Sequence, residues 1–166
     1  MKKVIALIFA SVFTLGVALA QNLITDPSFE SGKLGEWVLE QGKKADCFVE
    51  NNKNNAHTGK WTYKYWKATA FQSLLTRKVT GLANGTYTLS IWAMGGGGDK
   101  ELRFYSVGHD TSGKEISAQI TNTGWMNWKQ YTLEVPVSTG ELTIGIYIDA
   151  KGDCWGNFDD VELVKK

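Results

Sequence analysis

Two histidines, His57 and His109, and a run of acids near the C-terminus are the residues that catalysis would have to use. Asp149, Asp153, Asp159 and Glu162 supply carboxylates, and glycoside hydrolysis needs two of them across a cleft. No nucleophile elbow, His-Glu-x-x-His pair or phosphate-cradling glycine loop accompanies them. Nothing therefore singles out a nucleophile–base pair. The aromatic side chains are more telling. The chain holds 7 Trp and 6 Tyr, all beyond residue 20, more indole than a core of this size needs. Some of those rings belong at a surface. A flat ring with amides or guanidinium groups beside it meets a partner that has an apolar face and a polar fringe, as a pyranose does.

The elements that position these rings have a period of two. Residues 86–94 put Tyr87, Leu89, Ile91 and Ala93 on one side. Residues 141–149 do the same with Leu142, Ile144, Ile146 and Ile148. Residues 129–137 align Tyr131, Leu133, Val135 and Val137, and residues 60–67 align Trp61, Tyr63 and Tyr65. Residues 158–164 alternate Phe158, Asp160, Glu162 and Val164 against Asp159, Val161 and Leu163. Turn signals such as Thr58-Gly59, Asn84-Gly85, Ser112-Gly113 and Thr139-Gly140 separate the strands. No amphipathic helix longer than a few turns is expected. The pattern predicts an all-β fold, a β-sandwich or jelly roll of nine or ten short strands. Gly95–Gly98 reads as a flexible loop or a close approach of a ligand to the backbone, not as strand interior.

Parity then sorts the aromatics. Where Leu89 and Ile91 face the core, Trp92 faces away. Where Ile144 and Ile146 face it, Tyr147 faces away, and Trp66 leaves its strand on the side opposite Tyr63 and Tyr65. Trp66, Trp92 and Tyr147 are thus expected on one exposed face, with Trp155 and Asn157 completing it. Arg103 and Tyr105 lie on the opposite parity to Leu102 and Phe104 and are candidates for the same face. Trp125 follows Gly124 at a loop tip and is a further candidate. Trp37 and Trp128 read as packing residues.

Residues 1–20 read as a signal peptide: Lys2 and Lys3, an apolar stretch from Val4 to Leu19, and Ala18-Leu19-Ala20 before the expected cut. Residues 21–166 are then one domain, secreted or periplasmic, with no membrane span after cleavage. The formal charge is +1, and loss of the two leader lysines takes it to −1, no footprint for nucleic acid or an anionic membrane. Cys47 and Cys154 either pair in an oxidising compartment or remain buried thiols.

Three segments together resemble galactose-binding-like carbohydrate-binding modules. They are Asn22-Leu23-Ile24-Thr25-Asp26-Pro27-Ser28-Phe29-Glu30 with Gly35-Glu36-Trp37, then His57-Thr58-Gly59-Lys60-Trp61-Thr62-Tyr63, then Trp155-Gly156-Asn157-Phe158-Asp159-Asp160-Val161-Glu162-Leu163. Tyr65-Trp66, residues 81–92 and Ile144-Gly145-Ile146-Tyr147-Ile148-Asp149 are similar to carbohydrate-binding module family 61. The resemblance implies a monomeric, non-catalytic β-sandwich that binds polysaccharide, with β-1,4-galactan the expected ligand. It also implies a structural calcium (Ca2+) held by Ser28, Glu30, Lys60 and Asp160, with His57 adding a carbonyl. Two other classes stand beside it. One is a small glycan-active enzyme on a jelly roll, and the other an envelope adhesin whose aromatics bind protein.

Overall fold

A computed structural model describes residues 21–44 and 46–166. The signal-peptide reading of residues 1–20 lies outside the described residues. Ten strands and no helix make up the described chain. They are β1 (Val38–Gln41), β2 (Cys47–Asn51), β3 (Trp61–Trp66), β4 (Phe71–Thr80), β5 (Gly85–Gly96), β6 (Glu101–Val107), β7 (Ile116–Gln119), β8 (Lys129–Val137), β9 (Glu141–Ala150) and β10 (Trp155–Lys165). They form two antiparallel five-stranded sheets, β1-β4-β9-β6-β7 and β2-β3-β10-β5-β8. The chain is an all-β sandwich, as the period-two patterning predicts.

The rows read from the sequence are the inner faces. Tyr87, Leu89, Ile91 and Ala93 of β5 and Leu142, Ile144, Ile146 and Ile148 of β9 all lie buried in one core. Tyr63 and Tyr65 of β3 and the β8 row join them. Fully burying one such aliphatic side chain contributes ~1.5–3 kcal/mol, so these rows fix which side of each strand faces in. A register slip by one residue would turn every one of them to water.

The final strand departs from simple alternation. Phe158 is buried in the core with Val161 and Leu163, although its parity differs from theirs. The register between β10 and β5 shifts between Asp159 and Glu162, and Asp160 takes a left-handed φ of 46°. This is a bulge, one extra residue that switches the strand's parity. It places Asp159 and Asp160 at the kink.

Gly95 and Gly96 belong to the end of β5, paired with Gly156 and Trp155, contrary to the loop expected there. The reason is steric. A Cβ on Gly95 would lie 2.8 Å from the carbonyl oxygen of Trp155, and one on Gly96 would lie 2.9 Å from the Trp155 indole nitrogen. The glycines let backbone and indole lie against the strand, and only Gly97 and Gly98 leave it.

The cysteines do not pair; both are free and buried. Cys47 stands opposite Tyr65, which stands opposite Gly156, so Cys47 and Gly156 are two strand spacings apart, ~9.5 Å. Cys154 lies two residues further on, and a disulfide needs Cα atoms within ~7 Å. Burial raises both thiol pKa values. Among the described residues, no helix is long and apolar enough to cross a membrane.

Candidate functional site

The outer face of the second sheet carries the richest group of side chains. Across it the ladders align Trp66 with Trp155 and Gly96, and, one outward position along, Lys64 with Asn157 and Met94. Period two sends Lys64 and Trp66 outward because Tyr63 and Tyr65 are in the core. The loop after β7 closes the group. Backbone N–H groups of Thr123 and Gly124 both donate to the Gly95 carbonyl, and Trp125 follows at the tip. Asn55, Lys64, Trp66, Trp125, Trp155 and Asn157 line an open cleft of about 340 Å³. Trp66 is 47% and Trp125 58% exposed, which is unusual for indoles in a protein of this size.

The polar groups in this cleft are arranged unevenly. Asn157 is 1% exposed, and its amide nitrogen Nδ2 is buried with no hydrogen-bond partner. A buried donor left unpaired costs ~1–3 kcal/mol, so this amide is a local cost in the free protein. The Lys64 ammonium pairs with Glu50 at 2.6 Å. Asn55 donates to the other Glu50 oxygen at 2.8 Å and accepts from the Trp125 indole N–H at 3.1 Å. The cleft thus has three indole walls, amide and ammonium donors, and no carboxylate among its lining residues.

The expected single platform does not form. Tyr147 is on β9 and Arg103 and Tyr105 on β6, both in the first sheet, so these three project from the opposite face of the sandwich. There the Arg103 guanidinium sits 5.3 Å from the Tyr105 ring centre and 5.4 Å from that of Tyr147. The Tyr105 ring lies over Gly145, where any Cβ would collide with it. Glu101 and Glu115 flank the guanidinium at 3.1 and 3.3 Å.

Trp92 is on the same sheet but does not line the cleft. It lies two residues along β5 from Met94, the ladder partner of Asn157, ~7 Å at strand rise. The His57 ring stacks on it, with centres 4.1 Å apart and planes 17° from parallel, and Trp128 meets His57 at 5.3 Å. Trp128 is half-buried, and Trp37 is buried against Phe29, both as packing residues.

The expected calcium ligands divide into two groups. His57 Nδ1 lies 2.5 Å from Asp160 Oδ2, while Oδ1 of the same carboxylate accepts the hydroxyls of Ser28 and of Thr58, the latter at 2.6 Å. Glu30 Oε1 accepts the backbone N–H groups of Lys60 and Trp61, both at 2.8 Å. The Lys60 carbonyl accepts the N–H of Asn52 at 2.9 Å. Beside them Asp159 is buried. Burial first, and then the neighbouring Asp160 charge, push its pKa up to about 7, against the pull of backbone N–H groups from His57, Asp160 and Thr58. No group of three His, Cys, Asp or Glu side chains suited to a metal gathers among the described residues. What gathers is the Asp160 carboxylate with the Ser28 and Thr58 hydroxyls and the His57 ring nitrogen, while Glu30 is engaged separately by backbone N–H groups; the oxygens among them are of the hard type that suits Ca2+.

No protein-family model and no curated protein matches the chain. Solved structures do. The module TmCBM61, solved in complex with β-1,4-galactotriose, superposes with a TM-score of 0.80 at 27% identity, over 89% of this chain and 100% of that one. The chain is built as a carbohydrate-binding module similar to family 61. A family 16 carbohydrate-binding module shares the fold at TM-score 0.63 and 20% identity, over 87% of this chain and 100% of that one. The enzymatically active domain of bacteriophage CBA120 tailspike protein 4 shares it at 0.66 and 15% identity, but this chain spans only 21% of it. In the module, sequence reasoning missed Lys64, Asn55 and Glu50. Lys64 was legible, because it shares Trp66's parity. Asn55 and Glu50 were not, because the turn that brings Asn55 to Trp125, and Glu50 to Asn55, is made only by the fold.

Proposed function

We propose that the tryptophan cleft binds a neutral polysaccharide of the β-1,4-galactan type, and that the domain does so without cleaving it. The observation that carries this reading is the open cleft lined by Trp66, Trp125 and Trp155, two of them about half exposed, with the Asn157 amide at its floor. Indole faces meet the C–H side of a pyranose, and the amide meets a hydroxyl or ring oxygen. The likeness to a module solved with galactotriose supports the choice of sugar. The lining supports binding over hydrolysis, since it contains no carboxylate and glycoside hydrolysis uses two. The protein is taken to be an exported monomer, periplasmic or extracellular.

Calorimetric titration against galactotriose, galactan, xylan, β-glucan and mannan tests the ligand, with the galactan series expected to bind and the others to bind weakly. No binding on a broad glycan array would favour an adhesive, protein-binding role. Reducing sugar released from galactan by the pure protein would establish an enzyme instead.

A second surface is favoured by one specific observation, the Arg103 guanidinium held between Tyr105 and Tyr147. It offers a cation and two rings on the opposite sheet, suited to a second contact with the same polymer. Calcium is proposed at the oxygen cluster, held by the Glu30 and Asp160 carboxylates with oxygens from Ser28 and the 57–60 segment. It would neutralise acids there and tie the N-terminal segment to β10, outside the residues that line the cleft.

A further inference from the structure

Taking the cleft as a glycan site, we infer that Glu50 is a positioning residue that fixes Lys64 and Trp125 at the cleft without touching the ligand. Glu50 is on β2, outside the six residues that line the cleft. Its side chain is only 18% exposed, and each carboxylate oxygen is committed. Oε1 holds the Lys64 ammonium at 2.6 Å, and Oε2 holds the Asn55 amide at 2.8 Å. Asn55 in turn receives the Trp125 indole N–H at 3.1 Å. One carboxylate therefore sets Lys64 on the sheet side and, through Asn55, Trp125 on the loop side.

Trp125 needs such a tether. Its indole is 58% exposed, the adjoining Met126 is 63% exposed and has a left-handed φ of 61°, and the ring buries too little surface to be held by packing alone. Lys64 needs one too. A long, flexible side chain beside an indole lowers affinity if it must be ordered when ligand arrives. Asn55 is oriented by accepting on its carbonyl side and donating on its amide side, which fixes its flip. The arrangement is a four-residue line, Lys64–Glu50–Asn55–Trp125, that spans β3, β2, the following turn and the loop before β8. Ordering it in the free protein moves the entropy cost of binding into folding.

Glu50→Ala and Asn55→Leu test this in the full chain. Three readouts are needed: melting temperature, galactotriose affinity, and solvent exchange of the Trp125 indole N–H by nuclear magnetic resonance. Exchange of that N–H is expected to speed up at least tenfold in both variants, with the Trp66 indole unchanged. Affinity is expected to fall about tenfold for Glu50→Ala, and by less when Trp125→Phe is already present, because part of the effect runs through Trp125. The inference is overturned if indole exchange is unaltered, or if the affinity losses of Glu50→Ala and Trp125→Phe multiply in full. The exchange measurement needs no ligand. A wild-type protein that binds no glycan would thus sink the functional reading while the positioning of Trp125 is still decided.

Discussion

Single residues separate the two roles a tryptophan plays here. Trp66 stands 47% exposed on the last residue of β3 and stacks on no ring, so its truncation removes contact surface rather than core. Trp66→Ala is expected to keep the melting temperature within a few degrees and to cost ~2 kcal/mol or more in galactan affinity, as a central interface residue does. Trp92→Ala is expected to do the reverse. It removes the ring on which His57 stacks, worth ~0.5–1.5 kcal/mol beyond burial, and takes no lining residue from the cleft. Thermal melts and titrations on the two variants check both. Asn157 gives a sharper case. Its orphaned donor costs stability in the free protein, so Asn157→Leu is expected to melt no lower than wild type yet bind several-fold more weakly. A lower melting temperature with normal affinity would show that the amide serves the fold. The residue types were legible in the sequence, because Trp66, Trp155, Asn157 and Trp125 announce themselves by chemistry. The partnering of Trp92 with His57 was not, because it joins β5 to a loop 35 positions earlier, and parity carries no information about loops.

At the scale of elements, the alternation in β5, β8 and β9 was readable because each strand is wetted or covered on one side only, so burial writes a period of two into it. Two elements broke the rule for identifiable reasons. The bulge in β10 hides in Asp159-Asp160, where an inserted residue reverses the parity and no glycine marks it, the left-handed φ falling on Asp160. The glycines ending β5 read as loop because their function is to be covered by a neighbour's backbone and ring. That gives a prediction about the strand end. Gly96→Ala would put a methyl 2.9 Å from the Trp155 indole nitrogen. The ring must move off the strand, at an overpacking cost of ~1–3 kcal/mol. Because Trp155 lines the cleft, stability and galactotriose affinity should fall together, whereas Gly98→Ala, with open space around its Cβ position and only backbone strain to bear, should spare affinity. Calorimetric melting and titration of the pair decide it. The same scale governs the oxygen cluster. Ser28, His57-Thr58 and Asp160 come from three separate segments, so a cation bound there would cross-link them. Calcium at a hundred times its dissociation constant would add ~2.7 kcal/mol, and chelation should lower the melting temperature without altering the ligand preference of the folded protein.

For the whole molecule, a sandwich has two outward faces, and parity within a strand cannot say which of them a side chain reaches. Trp66 and Tyr147 are both outward, yet β3 and β9 belong to different sheets, and only the ladder order assigns them. The sequence therefore made one platform of what the fold makes two surfaces, an indole cleft and an Arg103-centred tyrosine pair. The consequence is measurable with ligands of different length. A trisaccharide is too short to reach around a sandwich whose sheets stack ~10 Å apart and whose faces carry side chains beyond that. If the second surface touches glycan, Arg103→Ala should leave galactotriose affinity at the cleft unchanged and lower retention on long galactan, where a second contact acts at high effective concentration. Trp66→Ala should weaken both. Affinity electrophoresis in galactan gels, run beside trisaccharide calorimetry, distinguishes the cases. Equal retention of wild type and Arg103→Ala would leave the tyrosine pair a structural feature, its guanidinium paired with Glu101 and Glu115, and the cleft as the whole of the binding surface.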